Sequence, residues 1–333
     1  VIPGPALERI VPLLRCPLCG EAMRATDKGV TCGSGHPFDR ARQGYLSLFG
    51  PRGRRFPGDT ADQVAARDRV LSTGLFDGVL DALAAVARDS LGAGVPQSSP
   101  HGAGAPDRAP HGAGAPDRTA HGAGAPAEPV SRRVVLEAGA GTGHYLAGVL
   151  DAVSRARDGE GADVVGIGTE ISAAAARRLA RAHPAAAALV ADTWDGLPLA
   201  DDSVDLVQVV FAPRNAPEFA RVLRPGGALV VAVPGEGHLE PLRSAGGLLE
   251  PAPDKAARLD SELAGAFESG PVRVVDQRTE VPASVAVDLA LMGPSGVHLD
   301  RARLEAALGA DDQPVRLHVE VRSYRVPLGD RWS

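Results

Sequence analysis

The chain has 333 residues, 44% of them apolar and 23% charged, with a net charge of −6 and three cysteines. That is about two domains' worth of sequence with enough apolar residues for an ordinary core. No apolar run reaches spanning length, and the opening VIPGPALERIVPLLRCP lacks the basic region, apolar stretch and cleavage site of an export signal, so a cytoplasmic protein without a membrane partner is expected.

Cys16, Cys19, Cys32 and His36 form a C-x2-C-x12-C-x3-H array near the start. Zn2+ takes four thiolate or imidazole ligands in a tetrahedron, and two cysteines two residues apart reach one ion from a single tight turn. Pro17 and Gly20 stand where the first half must bend, and Gly33 and Gly35 flank the second. Four protein ligands leave no open position, so the metal is structural. All three cysteines are used here, which fits a reducing compartment.

Residues 1–70 hold 11 Lys or Arg against 7 Asp or Glu, a surplus of +4, so the remainder carries −10. The positive charge is densest at 39–56, DRARQGYLSLFGPRGRRF, where Tyr45, Phe49 and Phe56 are interleaved with Arg40, Arg42, Arg52, Arg54 and Arg55. Guanidinium for phosphate and aromatic faces for splayed bases is the composition a loop RNA needs. A solvated basic loop with its aromatics packed under the zinc knuckle is the alternative.

Residues 1–56 are thus expected as a zinc-binding module that recognises RNA. Between 92 and 130 a ten-residue repeat starts at His101, His111 and His121, rich in Gly, Ala and Pro and without an apolar face. Such a segment cannot bury enough surface to offset chain entropy, and a disordered linker is expected.

From 131 to 333 the pattern is α/β. Strands are expected at 133–137, 162–166, 187–191, 204–210 and 228–233, with helices at 144–157, 172–182 and near 218–223, and a turn at Arg224-Pro225-Gly226-Gly227. Strands alternating with helices imply a parallel sheet with right-handed crossovers. Two long alternating segments, 272–281 and 315–326, are expected to pair antiparallel at one edge, completing the seven-stranded sheet of a class I, Rossmann-like methyltransferase domain.

Glu137-Ala138-Gly139-Ala140-Gly141-Thr142-Gly143 follows the first of these strands. Side chains at Gly139, Gly141 or Gly143 would fill the space where backbone meets a ligand. Dinucleotide folds use G-x-G-x-x-G and bind pyrophosphate. Here one residue separates the last two glycines, and the Glu137 carboxylate would repel phosphate but suits an ammonium. S-adenosyl-L-methionine carries an ammonium and no phosphate. Glu170, ending the second strand, is placed to accept ribose hydroxyls, and Asp192, after the third, to meet the adenine amino group. Each acid alone reads equally as a cap.

Together these blocks resemble the RlmA family of 23S rRNA guanine-N1 methyltransferases. The resemblance spans the chain apart from the linker. It rests on the zinc array, HPFDRARQGYLSL, PGDTADQVAARDRVLSTGLFD at 57–77, the glycine loop, FAPRNAPEFARVLRPGGALVVAVPGEGHL at 211–239 and LALMGPSG at 289–296. It implies cofactor contacts at Phe76, at Gly143 with His144, and at His238, with 57–91 as a helical connector contributing to the pocket. Phe76 stands where some relatives have Tyr. The MGPSG wording resembles an actinobacterial branch that includes macrolide-resistance enzymes acting on a guanine in a hairpin loop lining the peptide exit tunnel. The implied partner is 23S rRNA, and a homodimer is among the expected assemblies.

The implied reaction is in-line attack of guanine N1 on an activated methyl group, so the protein must mainly position the base and remove its N1 proton. The catalytic residue stays unassigned, with Glu218 and His238 both considered. Two other readings stay open. One is a small-molecule methyltransferase of an antibiotic pathway with a structural zinc module, which would not need the basic segment. The other is an RNA-binding protein without catalysis, which the intact glycine loop argues against.

Overall fold

The computed structural model describes residues 5–53, 56, 58–92, 132–155, 163–246 and 255–328. The repeat expected as a linker, from 93 onward, and Arg54 and Arg55 lie outside the described residues.

A short helix α1 (Pro5–Ile10) precedes an antiparallel sheet of β1 (Met23–Ala25), β2 (Gly29–Cys32) and β3 (Pro37–Asp39). The two-residue strand β4 (Leu46–Ser47) then leaves this sheet. Helix α2 (Ala61–Leu71) starts at a capping box, in which the Thr60 hydroxyl accepts from the Gln63 amide at 3.2 Å and the Gln63 side chain accepts from the Thr60 amide at 3.0 Å. Helix α3 (Asp77–Gly92) completes the connector.

The second half alternates as expected: β5 (Arg133–Ala138), α4 (His144–Arg155), β6 (Val164–Glu170), α5 (Ala173–Ala182), β7 (Ala186–Val190) and β8 (Val204–Val210). It continues through α6 (Ala216–Val222), β9 (Leu223–Pro234), α7 (Glu240–Gly246), α8 (Lys255–Leu263), β10 (Glu268–Val281), α9 (Ala283–Leu291), α10 (Arg301–Leu308) and β11 (Gln313–Arg325). The turn expected at 224–227 lies inside β9 as a bulge, because Leu223 pairs with Val204 while Ala228 already pairs with Leu206.

The large sheet has the order β10-β11-β9-β8-β5-β6-β7-β4. Its strands from β5 onward are the expected seven, and β11 runs antiparallel to both neighbours. The eighth strand is a departure from the expected seven-stranded sheet. Leu46 and Ser47 pair parallel with Leu189 and Val190, and the Leu48 amide donates to the Val190 carbonyl at 2.8 Å, so the otherwise open edge of β7 is covered.

Both faces are covered, which is why every residue of β6 and β8 is buried. One face packs against α3, α4 and α9 through Leu83, Leu146, Val149 and Val287. The other packs against Ile10, Leu14, Leu46 and Leu48 of the N-terminal segment together with Phe219 and Leu259. The segment 5–48 therefore contributes side chains to the core of the sheet. Each of those four aliphatic side chains contributes about 2 kcal/mol by burial.

On the first face the connector is pinned to the C-terminal helices by Asp288, which accepts from Arg69 at 2.6 and 2.7 Å and from Arg301 at 2.5 Å. Burial pushes its carboxyl up, but the two guanidinium groups hold it net below the ordinary aspartate range. Asp288→Ala should cost about 2 kcal/mol, because the hydrogen bonds it loses are charge-assisted. Chemical denaturation checks this, and a midpoint unchanged from wild type would show that the clamp is dispensable.

Candidate active site and zinc ribbon

The knuckle is shaped by backbone bonds: the Gly20 amide donates to the Cys16 carbonyl at 2.8 Å and the Gly35 amide to that of Cys32 at 3.1 Å. The ligand atoms of Cys16, Cys19, Cys32 and His36 all lie within 4.8 Å of one another. His36 Nδ1 is 3.6 Å from Cys16 Sγ and 3.4 Å from Cys32 Sγ, and the Sγ atoms of Cys19 and Cys32 are 3.7 Å apart. A tetrahedron built on ordinary zinc bond lengths has edges of about 3.6 Å between nitrogen and sulfur and about 3.8 Å between sulfurs. The four groups are thus spaced for one Zn2+. The His36 amide also points at Cys32 Sγ from 3.4 Å, a donor that steadies a thiolate.

The second site lies at the carboxyl ends of the parallel strands, between β5 and β8, where chain direction across the sheet reverses. The loop after β5 passes there in left-handed conformations, with φ of +73° at Gly139, +54° at Gly141 and +84° at Gly143. A Cβ on Gly139 would lie 2.5 Å from Ala212 Cβ, and one on Gly143 would lie 2.8 Å from Leu179 and Ala182. The loop is anchored by Glu170, whose carboxylate oxygens accept from the Gly141 and Ser172 amides, each at 2.8 Å.

Among the described residues, Glu137 Oε2, Asp192 Oδ2 and His144 Nε2 are buried here without a hydrogen-bond partner. Such atoms are costly unless a ligand completes them. Burial pushes the Glu137 carboxyl up to about 8, against the opposing pull of Gln208 and the Leu146 amide. Burial likewise lowers the His144 imidazole, so its neutral form prevails. Asp192 caps a turn, accepting from the Trp194 amide at 3.0 Å, and keeps its second oxygen free.

Phe76 and His238 close the same crevice. Their rings each lie 6.1 Å from that of Phe211, which is also 6.5 Å from Tyr145. Tyr145 and Arg67 escaped the sequence reading. Arg67 lies over the loop, within 3.4 Å of where a Gly141 Cβ would stand, pairs with Asp59 and donates to the Met292 carbonyl at 2.9 Å. The connector and the MGPSG segment thus meet at the cofactor loop, a convergence without any local sequence signal.

Glu218 is committed elsewhere. Burial raises its carboxyl, but Arg221 and the Leu197 amide at 2.7 Å draw it net below the ordinary range, and it serves as a structural pair. Of the basic segment, Arg42 is exposed, Arg40 is half-buried and Arg52 reaches Asp195 at 2.8 Å. Tyr45 packs partly against the core, whereas Phe56 is exposed.

A parallel sheet in this order, with a glycine-loop crevice and buried acids suited to a phosphate-free nucleoside, defines a class I S-adenosylmethionine-dependent methyltransferase carrying a zinc ribbon. The profile of the RlmA N-terminal zinc ribbon matches residues 14–51, and that of a methyltransferase domain matches residues 136–231. A Micromonospora griseorubida protein provisionally named a 23S rRNA (guanine-N(1)-)-methyltransferase is 40% identical, over 95% of this chain and 97% of its own. The 23S rRNA (guanine(748)-N(1))-methyltransferase of Streptomyces fradiae is 36% identical, over 88% of this chain and 89% of its own. The chain belongs to the RlmA family of 23S rRNA guanine-N1 methyltransferases.

Purified protein should contain one zinc per chain, and Cys19→Ala should lose it. Because Ile10, Leu14 and Leu46 are part of the sheet's core, the loss should also lower the thermal midpoint of the whole protein. Metal analysis beside a thermal melt decides this, and a zinc-free wild type of full stability would contradict it.

Proposed function

We propose that this chain methylates N1 of a guanine in a hairpin loop of 23S rRNA at the peptide exit tunnel, corresponding to guanine 748 named for the Streptomyces fradiae relative, and thereby protects ribosomes from macrolides in the cytoplasm. The observation that carries the reading is the near full-length match to that relative, which includes both the ribbon and the methyltransferase domain. The exposed Arg42 and Phe56 support it, since a small-molecule enzyme would have no use for them.

When bound, S-adenosylmethionine supplies a methyl group already activated on a sulfonium. Glu137 is the partner for its ammonium, Glu170 for its ribose and Asp192 for its adenine, while Gly139, Gly141 and Gly143 leave room for close approach. Phe76, His144 and His238 wall the crevice and exclude water. Glu218, held by Arg221, is not free to take up the guanine N1 proton. Arg40, Arg42, Arg52, Arg54 and Arg55 hold the RNA, with Arg52 exchanging Asp195 for a phosphate.

Primer extension on rRNA from cells with and without the gene tests the reading, because N1 methylation stops reverse transcriptase at one nucleotide. A single stop in the hairpin loop, accompanied by raised macrolide tolerance, is expected; unaltered rRNA would refute it. In the purified system, Arg42→Ala with Arg52→Ala should weaken RNA binding and make its salt dependence shallower, leaving cofactor affinity unchanged.

The raised Glu137 carboxyl gives a further expectation. Below about 8 it holds a proton that must leave before the acid can meet an ammonium. Cofactor affinity should therefore rise from about pH 6 to about pH 7.5, by at most about tenfold per unit, with release of nearly one proton. Calorimetry in buffers of different ionisation heat reads this out. Glu137→Gln should abolish the proton release, and a wild type that releases none would assign the ammonium to another group.

A further inference from the structure

We propose that Phe211 is the platform on which the target base stacks, a role that rests on the reading of the substrate as a guanine. Phe211 follows the last residue of β8, at the carboxyl end of the strand beside the glycine loop. Its φ is +53°, a left-handed conformation that a bulky side chain adopts only when its surroundings impose it. The strain does not come from a lost backbone bond, because the Phe211 amide still donates to the Ala232 carbonyl at 3.1 Å. What the left-handed turn changes is the direction of the ring.

The end of the neighbouring strand behaves alike. Beyond β9, Leu239 has φ of +57° directly after His238. Of the three non-glycine residues with positive φ among those described, two thus lie in the segments that follow the neighbouring strands β8 and β9. The rings of Phe211 and His238 are tilted by 31°. Phe76 and Tyr145, both buried, meet Phe211 edge-on at interplanar angles of 75° and 67° and fix the ring.

Phe211 itself is 40% exposed, unlike Phe76 at 2%. Among the described residues no ring is stacked face to face on this rigid, strained and partly uncovered aromatic. The cofactor loop and Glu170 lie on the β5 and β6 side, which leaves the β8 side, where Phe211 stands, for the second reactant. An extruded purine supplies a flat face of the required kind, and stacking compensates for the neighbours it loses.

The test compares wild type with Phe211→Leu, Phe211→Tyr and Phe211→Gly on an in vitro transcript of the 23S rRNA hairpin. Phe211→Leu should lower kcat/KM for RNA by roughly tenfold to a hundredfold while keeping cofactor affinity within about twofold. Phe211→Tyr, which keeps the ring, should retain most of the turnover. Phe211→Gly removes ring and strain together, so it should lose turnover like Phe211→Leu with a thermal midpoint no lower. A transcript carrying 2-aminopurine at the target position should fluoresce more strongly on Phe211→Leu than on wild type, where the ring quenches it.

Unchanged RNA turnover in Phe211→Leu overturns the proposal, as does a loss explained wholly by weaker cofactor binding, which would make the ring a wall of that pocket. A wild type that leaves the transcript unmethylated would instead refute the underlying reading of the substrate, and the guanine platform with it.

Discussion

Gly139 has no room for a side chain, since a Cβ there would lie 2.5 Å from that of Ala212, and the crevice is arranged around this contact. It brings the loop after β5 against the segment after β8. Short separation between reactants is what a methyl transfer needs, because the group is already activated and positioning supplies most of the remaining acceleration. The left-handed backbone at Gly139 and Gly143, the anchoring of Gly141 by Glu170 and the turn at Phe211 all serve that closeness.

The ribbon is joined to this machinery through the hydrophobic effect more than through its metal. Ile10, Leu14, Leu46 and Leu48 enter the layer that also holds Phe219 and Leu259, and β4 extends the sheet. Zinc stands in for a core that three strands of three or four residues are too small to form. The outcome is a fixed offset between the ribbon and the crevice.

Buried charge contributes a different kind of order. Asp288 joins α2 to α9 and α10 through Arg69 and Arg301, and Asp205 accepts from the Val134 amide at 2.7 Å and from Arg224 at 2.7 Å. Such clusters add little net stability over an apolar packing, but each fixes which segments meet. The Asp288 clamp holds the connector, and with it Phe76 and Arg67, over the cofactor loop.

Local rules were enough for much of this. The spacing of three cysteines and a histidine identified the zinc ligands, because a knuckle is made by residues adjacent in the chain. Alternating apolar runs and glycine turns located the strands and the loop with Glu137, Glu170 and Asp192, because each sits at a strand end that hydrophobic periodicity marks. The eighth strand, the packing of Ile10, Leu14, Leu46 and Leu48 against the sheet, the engagement of Arg52 by Asp195, and the gathering of Phe76, Tyr145, Phe211 and His238 were decided only by tertiary structure. The physical reason is distance along the chain: these contacts join residues tens to hundreds of positions apart, and an open strand edge or an exposed ring carries no local mark of the partner that will cover it.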